Sequence, residues 1–517
     1  MGMWRHEAQR SRYRSRARAI VLALAVAAVS ACGGDDGGAP VTDIAAAVEG
    51  ATPGTVVVLT ESSYSGSFSI PAGVTLDGKG ATITGVNGAA VFSVTGGATD
   101  TPTRLINMRI ENEGLAVVAR EGAVELEDVT VSVSALGGVF AEGLDRLAMT
   151  RVTGLGSLNA ENVSDLGTVN GFGLDARRYP IAGVLLADVA DVELEELSLS
   201  GFGGFGAIFL RSQGSWNGGG VTEWVGTGVL VEDSDIELTG VAVHDSLSDS
   251  NLRLIPNGIA VTQGGSLSTS GLELSNIVGY GLLQDNARSA HTDLNVLGNA
   301  RAGVWVQNSF AADGPALSIS GASAIADNLG LGLYARDFEG LELDGVTIST
   351  TQTRSQLFGE LGVVELGDGL QMTGASGLVR MNSTTLTGNS RVGWLIDGTD
   401  AETSAPFTFE GAVTINAQGA MTGEQEPLGL ITQNDNGGVF IVVENGNVEV
   451  APELAERDSL FSGTLAVNDA LSAVAGFGDA LGDQGLIGDD GLVGQDGRLV
   501  NEGVSVNDFG IVVENGM

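Results

Sequence analysis

The chain has 517 residues but only one cysteine, Cys32. A single thiol excludes an internal disulfide and a cysteine-rich zinc site, because both need further cysteines. Lysine is equally scarce, since Lys79 is the only one, and histidine occurs three times. Imidazole and amine side chains, which can act as bases near neutral pH, are therefore few.

The sequence also lacks an apolar run long enough to span a bilayer, which needs about 20 residues. Its longest run, Ala19 to Val29, follows six arginines and is typical of the apolar region of a secretory signal. The next residues complete the sequence VSAC at Cys32, which resembles a bacterial lipobox. This resemblance implies a signal peptide over residues 1–31, lipidation of Cys32, and a membrane partner reached through that lipid anchor.

Residues 32–42 are rich in Gly and Asp and predict a flexible tether between the anchor and the folded domain. We therefore predict a protein of the cell envelope, an outer-membrane lipoprotein that is either periplasmic or surface-exposed. Without residues 1–31, the chain would keep 18 basic and 63 acidic residues, a net charge of about −45. Such a field repels nucleic acid, so we exclude it as a partner.

A glycine followed by mostly apolar residues recurs along the chain at intervals that fit a unit of about 22 to 24 residues, the size of a solenoid rung. A second segment in each unit alternates polar and apolar residues, as in VELEELSLS (192–200) and LELDGVTIS (341–349), which predicts strands. The recurring glycines are Gly138, Gly183, Gly206, Gly228, Gly258, Gly281, Gly303, Gly332, Gly369, Gly393 and Gly438.

Asparagine precedes several of these glycines by four residues, and in one unit by five. Buried asparagines stacked from rung to rung can form a ladder of amide hydrogen bonds. These turn asparagines are Asn276, Asn299, Asn328, Asn389 and Asn434. With this pattern, the chain resembles the right-handed parallel β-helix, or pectin-lyase-like, superfamily.

The resemblance extends over about residues 43–460, and residues 43–85 are similar to the family's N-terminal segment, in which a short helix caps the first rung. We therefore predict an all-β, right-handed parallel β-helix over residues 43–517, with a capping helix and roughly 15 rungs about 4.8 Å apart. An acidic, Gly-rich insertion is predicted at residues 476–499. The sequence FGIVVENG (509–516) repeats VFIVVENG (439–446), which predicts strands three units apart.

The two predicted strand types differ in their outer surfaces. Outward residues of the alternating strands include a row of glutamates, Glu125, Glu193 and Glu237, which predicts a solvated face, with calcium binding as the alternative. The glycine strands place an apolar row outward: Phe140, Leu185, Ile208, Leu230, Ala260, Leu283, Trp305, Tyr334, Gln371, Leu395 and Phe440. Either turn insertions cover this row, or it is a binding surface that exposes Trp305 and Tyr334.

Trp216 and Trp224 lie in the Gly-rich stretch 211–224, which predicts a long turn whose rings either stack on a sugar or cover the apolar row. The two histidines after Cys32, His244 and His291, are interpreted as surface turn residues rather than a catalytic pair. The resemblance to pectate-lyase-type sites requires an arginine beside several carboxylates. Weak candidates for such a lyase site are Arg253, Arg301, Asp245 and Asp285.

These features together predict an exported, lipid-anchored β-helix that is a non-catalytic binding or structural module of the cell envelope. Its expected partner is a polysaccharide or an envelope protein, and no cofactor is expected apart from the calcium alternative. The second hypothesis is a calcium-dependent lyase, or another carbohydrate-active enzyme, that acts on acidic polysaccharide.

Overall fold

In the computed structural model, the chain coils through three parallel sheets. The structure describes residue 41 and residues 43–86, 89–133, 137–157, 182–248, 255–310, 314–358, 362–397, 407–417 and 428–433. It also describes five short C-terminal stretches, residues 442–444, 447–449, 461–469, 504–506 and 511–514. Cys32, the tether apart from Val41, the insertion at 476–499, Arg253, Asn434 and Phe440 lie outside these residues.

Sheet 1 holds the glycine strands, and each pairs in parallel with the next one along the chain. In the described part of the chain it has fifteen strands, which agrees with the expected number of rungs. They are Phe68–Ile70, Phe92–Thr95, Leu115–Arg120, Gly137–Glu142, Ala182–Ala187, Phe205–Leu210, Thr227–Glu232, Asn257–Thr262, Tyr280–Asp285, Ala302–Ser309, Leu331–Asp344, Asp368–Asn382, Val392–Asp397, Leu428–Gln433 and Ile511–Glu514.

Sheets 2 and 3 hold the alternating segments, and several strands bend from one sheet into the next. Leu331–Asp344 and Asp368–Asn382 continue from sheet 1 into sheet 2, where Leu341 pairs with Leu317 and Val379 with Phe407. Strands in sheet 2 alone are Val56–Val58, Arg146–Thr150, Asp235–Thr239, Ser266–Ser270, Arg288–Thr292 and Leu317–Ser320. Strands shared by sheets 2 and 3 are Thr75–Thr84, Thr103–Asn112, Ala123–Val133, Val192–Ser200, Gln213–Thr222, Phe407–Ala417 and Phe461–Asp469. Strands in sheet 3 alone are Ser63–Ser65, Thr153–Leu155, Ala242–His244, Glu273–Ser275, Asn295–Leu297, Ala324–Ala326, Thr347–Ser349 and Thr385–Thr387.

This arrangement confirms the predicted parallel β-helix, because strands of successive rungs pair in parallel in each of the three sheets. An inserted hairpin and the short C-terminal strands add antiparallel pairs. The predicted cap is the helix Ile44–Val48, whose N-cap Asp43 accepts a hydrogen bond from the N–H of Ala46 at 3.3 Å. Ile44 and Val48 are buried against the first rung. In the described part of the chain, no helix is long and apolar enough to cross a membrane.

The corners between sheets repeat one local conformation. At the corner between sheets 2 and 3, Asn107, Asp128, Arg151 and Glu196 all have φ between 52° and 54°. Non-glycine residues adopt this left-handed conformation at a cost of about 1–2 kcal/mol. The residue that follows each corner points into the core, so apolar burial offsets that cost. Those residues are Met108, Val129, Val152 and Leu197.

The corner between sheets 3 and 1 has the same form, and its inward residue lies where the asparagine ladder was expected. Asn328 Oδ1 accepts hydrogen bonds from the backbone N–H of Asn299 at 3.0 Å and from its side-chain Nδ2 at 2.8 Å. Asn389 Oδ1 accepts one from the N–H of Thr351 at 3.2 Å. From rung to rung, the inward position is filled by Phe202, Trp224, Ser246, Ile277, Asn299, Asn328, Thr351 and Asn389.

Asn276 is not part of this ladder, contrary to the expectation from its sequence pattern. It is the exposed corner residue itself, with φ 55°, and Ile277 fills the inward position after it. Asn276 lies five residues before Gly281, whereas the ladder asparagines lie four residues before their glycines. This difference of one residue places Asn276 at the corner instead of the inward position.

The repeated glycines are explained by close contact between rungs. A Cβ on Gly303 would lie 2.7 Å from the carbonyl oxygen of Gly332 and 2.8 Å from Asn328 Nδ2. A Cβ on Gly369 would lie 2.4 Å from Asn389 Nδ2. Each glycine therefore leaves room for the ladder asparagine of the next rung, which accounts for the joint recurrence of asparagine and glycine.

The C-terminal rungs differ from the expected spacing. Ile511–Glu514 pairs directly with Leu428–Gln433, one rung away, so the two VVENG segments are not three units apart. The first of them instead forms an antiparallel hairpin, Val442–Glu444 with Asn447–Glu449. The sequence Asn-Gly between these strands is a strong hairpin signal. The similarity of the two VVENG segments favours a rung repeat instead, which is why the hairpin is not predicted from the sequence.

Candidate functional site

The outer face of sheet 1 carries the apolar row in the expected register. Leu185 pairs with Phe140 and Ile208, and the pairing continues without a slip through Trp305, Tyr334 and Gln371 to Leu395. The next partner of Leu395 is Ile431, in place of the expected Phe440.

The first half of this row is covered. Phe140, Leu185, Ile208 and Leu230 are at most 8% exposed, and they form an apolar cluster separate from the core. A surface that is buried on both sides cannot dock a partner. This part of the sheet therefore fits the interpretation in which insertions cover the row.

The second half contains three neighbouring aromatic rings, Tyr280, Trp305 and Tyr334, which we call the aromatic cluster. The ring centroids of Tyr280 and Trp305 are 5.0 Å apart, and those of Trp305 and Tyr334 are 4.2 Å apart. Tyr280 pairs in register with the small Ala302, which leaves room for its ring to lean onto Trp305. Tyr280 and Trp305 are half-buried, whereas Tyr334 is 8% exposed, so the cluster is open towards Tyr280 and Trp305.

A hairpin borders the aromatic cluster. Its antiparallel strands, Arg354–Phe358 and Gly362–Leu366, are inserted before the sheet-1 strand that begins at Asp368. Leu366, at the hairpin's end, packs with Leu331 and Tyr334 in the same apolar cluster. The long interval between Gly332 and Gly369 was the only sequence signal of this insertion.

Polar groups also border the cluster. Trp305 Nε1 donates a hydrogen bond to Gln307 Oε1 at 2.9 Å, which fixes the indole. Gln371 pairs with Tyr334 on the next rung, and its Oε1 atom is buried without a hydrogen-bond partner. An unsatisfied buried acceptor costs about 1–3 kcal/mol, so this amide lowers the stability of the closed end of the cluster.

Two arginines, Arg301 and Arg354, stand at the edge of the cluster. Burial lowers the pKa of Arg354, and the positive charge of Arg301 lowers it further, while Tyr280 acts in the opposite direction. These effects place Arg354 within electrostatic range of both residues. Neither arginine has a carboxylate partner among the described residues.

The candidates for a lyase site are not gathered into one cleft in the described part of the chain. Asp285 ends its sheet-1 strand in register with Gln307, whereas Arg301 precedes Ala302 at the opposite edge of the sheet. Six residues of extended chain separate these positions, about 20 Å. Asp245 lies at a corner, where hydrogen bonds from His244 and Asn276 lower its pKa.

The two histidines also lie apart, and only one is on the surface. His244 is half-exposed on sheet 3, with Nδ1 2.8 Å from Asp245 Oδ2. His291 was expected in a surface turn, but its side chain points into the core from sheet 2 and is 1% exposed. Its Nδ1 lies 2.8 Å from the Thr269 hydroxyl, its Nε2 has no partner, and burial lowers its pKa to about 3.

Trp216 is on a strand and Trp224 is at a buried corner, whereas the sequence predicts that both lie on a long turn. Residues Gln213–Thr222 form a strand, and Trp216 pairs in register with Leu194 and Leu238 in sheet 2, with its ring in the core. Trp224 occupies the inward corner position, where its Nε1 donates to the carbonyl of Asn257 at 3.0 Å. Both are fully buried, so neither can stack on a ligand.

The glutamate row is interrupted rather than continuous. Ala148 separates Glu125 from Glu193 by one rung, and Ser215 separates Glu193 from Glu237. The guanidinium of Arg146 bridges Glu125 at 3.0 Å and Glu193 at 2.5 Å. These carboxylates therefore do not present the free oxygen cluster that calcium needs. Among the described residues, no three His, Cys, Asp or Glu side chains are grouped to hold a metal ion.

Comparisons with known proteins add little to this site. No protein family and no curated protein matches the chain. Among solved structures, the chain is similar to the A-module of the mannuronan C-5 epimerase AlgE6 of Azotobacter vinelandii, at 14% identity, over 75% of this chain and 93% of that one, with a TM-score of 0.26. It is also similar to a mutant of the periplasmic alginate epimerase AlgG, at 11% identity, over 70% of this chain and 77% of that one, with a TM-score of 0.23.

Proposed function

We propose that this protein is an exported, lipid-anchored β-helix that binds a polysaccharide on the aromatic cluster without catalysing its breakdown. The observation that carries the proposal is the open side of the cluster, where the half-buried rings of Tyr280 and Trp305 lie 5.0 Å apart on the outer face of sheet 1. A sugar ring offers the complementary feature, an apolar C–H face that packs on an aromatic ring.

The flank of the β-helix suits a polymer better than a small ligand. The cluster lies on the outer face of a sheet and extends over three successive rungs, those of Tyr280, Trp305 and Tyr334. A binding surface that runs along successive rungs matches an extended chain. The separation of Arg301 from Asp285 supports a binding role over a lyase role.

Trp305 is the central ring of the cluster, so its removal provides the test. We expect Trp305→Ala to weaken binding to the preferred polysaccharide at least about tenfold, or about 1.4 kcal/mol, because a buried aromatic contact is lost. Binding is measured by affinity electrophoresis of the full chain through gels that contain a panel of soluble polysaccharides. Phe310, which is exposed on the loop after the same strand, provides the control variant Phe310→Ala. Equal retardation of wild type and Trp305→Ala in every gel would remove the cluster as the binding surface.

The anchor is tested separately. We expect the wild-type chain, expressed in a bacterium that processes lipoproteins, to incorporate a clickable fatty acid and to fractionate with membranes. Cys32→Ser should abolish incorporation, because the protein has no other cysteine. Equal labelling of the two proteins would show that Cys32 is not the lipidated residue.

A further inference from the structure

The arginines at the edge of the aromatic cluster differ from most other basic residues in this chain. Among the described residues, nine arginines and Lys79 pair with a carboxylate: Arg104, Arg109, Arg120, Arg146, Arg151, Arg211, Arg336, Arg380 and Arg391. Arg288 instead donates to the Ser266 hydroxyl at 3.3 Å. Arg301 and Arg354 make neither kind of contact in the same part of the chain.

This lack of partners is informative because the chain is so acidic. Sixty-four carboxylates accompany 24 basic residues, so an arginine that needs a partner has many to choose from. Two guanidinium groups within electrostatic range repel each other, and the burial of Arg354 adds to the cost of its charge. The arrangement therefore carries an electrostatic cost that an anion from outside the chain would relieve.

Gly330 lies between the backbone of Arg301 and the side-chain stem of Arg354. Gly330 lies on the rung after Arg301, with φ 97°, and a Cβ there would be 2.8 Å from the Arg301 carbonyl oxygen. The same Cβ would be 3.5 Å from Cβ and Cδ of Arg354. The absence of a side chain at Gly330 thus leaves the space along which the stem of Arg354 packs, at the base of the bordering hairpin.

We propose that Arg301 and Arg354 form an oxyanion-binding pair, so that the polysaccharide bound at the aromatic cluster carries carboxylate or sulfate ester groups. The binding of a polymer rests on the proposed function, whereas the binding of an anion by the two arginines does not. The aromatic cluster binds the apolar face of one sugar, and the arginine pair binds the charged group of the same or the adjacent sugar. Guanidinium groups suit this role because their planar donors match the two oxygens of such an anion.

The test uses the full chain and three polymers: polygalacturonate, which carries carboxylates, dextran sulfate, which carries sulfate esters, and neutral dextran. We expect the double variant Arg301→Gln/Arg354→Gln to bind the preferred anionic polymer at least tenfold more weakly than wild type. Binding to dextran should be equally weak in both. Arg380→Gln, which removes an exposed arginine from sheet 2, should leave all affinities unchanged, as expected for a change of charge away from the site. The carboxylate and sulfate arms show which anion is preferred.

Further outcomes separate this inference from the proposed function. If wild type binds an anionic polymer and Trp305→Ala weakens binding while the double variant does not, the arginine pair is overturned and the binding surface stands. If no polymer binds, the arginine pair is tested with inorganic sulfate alone. A larger rise in melting temperature for wild type than for the double variant supports the pair as an anion site, and equal rises overturn it. Arg301→Lys/Arg354→Lys, which keeps the charge, should recover part of the affinity, and this guards against a folding defect in the glutamine variant.

Discussion

Asp368→Ala should destabilise the protein by about 3 kcal/mol, because it leaves the guanidinium of Arg391 without its carboxylate inside sheet 1. Asp368 is fully buried, and Arg391 Nε donates to its Oδ1 at 2.7 Å, with a second contact from Nη2 to Oδ2. The side chain of Arg391 is 25% exposed, so little water can replace the lost partner. Urea unfolding of the full chain, followed by tryptophan fluorescence, measures the loss.

The chain contains a matched control for this prediction. Asp188 and Arg211 form the same two-point contact between neighbouring rungs, with both distances at 2.7 Å, but their side chains are about half exposed. Surface ion pairs contribute about 0–1 kcal/mol, so Asp188→Ala should have only a small effect. Similar losses for the two variants would show that burial does not determine the strength of these pairs.

Much of the fold could be predicted from the sequence because each rung repeats its constraints. Glycine recurs where a Cβ would collide with the next rung, as at Gly303, and this recurrence alone gave the register of the apolar row. The ladder positions of Asn299 and Asn328 followed from the same spacing. Parallel strands that are buried on both faces read as continuous apolar segments, which made sheet 1 recognisable.

The incorrect predictions for the tryptophans and His291 came from the neighbouring residues alone, without the position of each residue in its rung. Trp216 and Trp224 were interpreted as loop residues because glycines surround them, yet those glycines allow close approach between neighbouring strands. A Cβ on Gly220 would lie 1.9 Å from the carbonyl oxygen of Ala242. The preferred interpretation of AHTD places His291 in a surface turn, although Asp293 is the corner residue and His291, two residues before it, points inward.

The candidate site was only partly visible from the sequence. Trp305 and Tyr334 stood out because aromatic rings in an outward row are conspicuous. The same row includes Gln371, and the rung pairing confirms its place beside Tyr334. Arg354 carries no motif, and the inserted hairpin brings it to the cluster. Sites assembled by such insertions depend on tertiary contacts that no local pattern records.

The buried imidazole of His291 should make the stability of the protein depend on pH. Its folded-state pKa of about 3 lies below the ordinary value of 6.5, because burial disfavours the charged ring. Below pH 6.5 the unfolded chain therefore binds a proton that the folded chain does not, and acidification favours unfolding. Above pH 6.5 the buried neutral ring does not lower the free energy of unfolding. As the pH falls from 6.5 towards 3, the free energy of unfolding decreases by up to about 1.4 kcal/mol for each pH unit.

Because 64 carboxylates also titrate in acid, the contribution of His291 is measured as a difference between variants. His291→Gln removes the titrating ring, so wild type should lose about 2–3 kcal/mol more stability than this variant between pH 6.5 and 4.5. His244→Gln changes a half-exposed histidine and should follow the wild-type curve. Parallel curves for wild type and His291→Gln would mean that the ring accepts a proton in the folded state. A larger loss of stability for wild type than for His291→Gln on acidification requires that the imidazole stay neutral in the folded core, where it contacts the Thr269 hydroxyl.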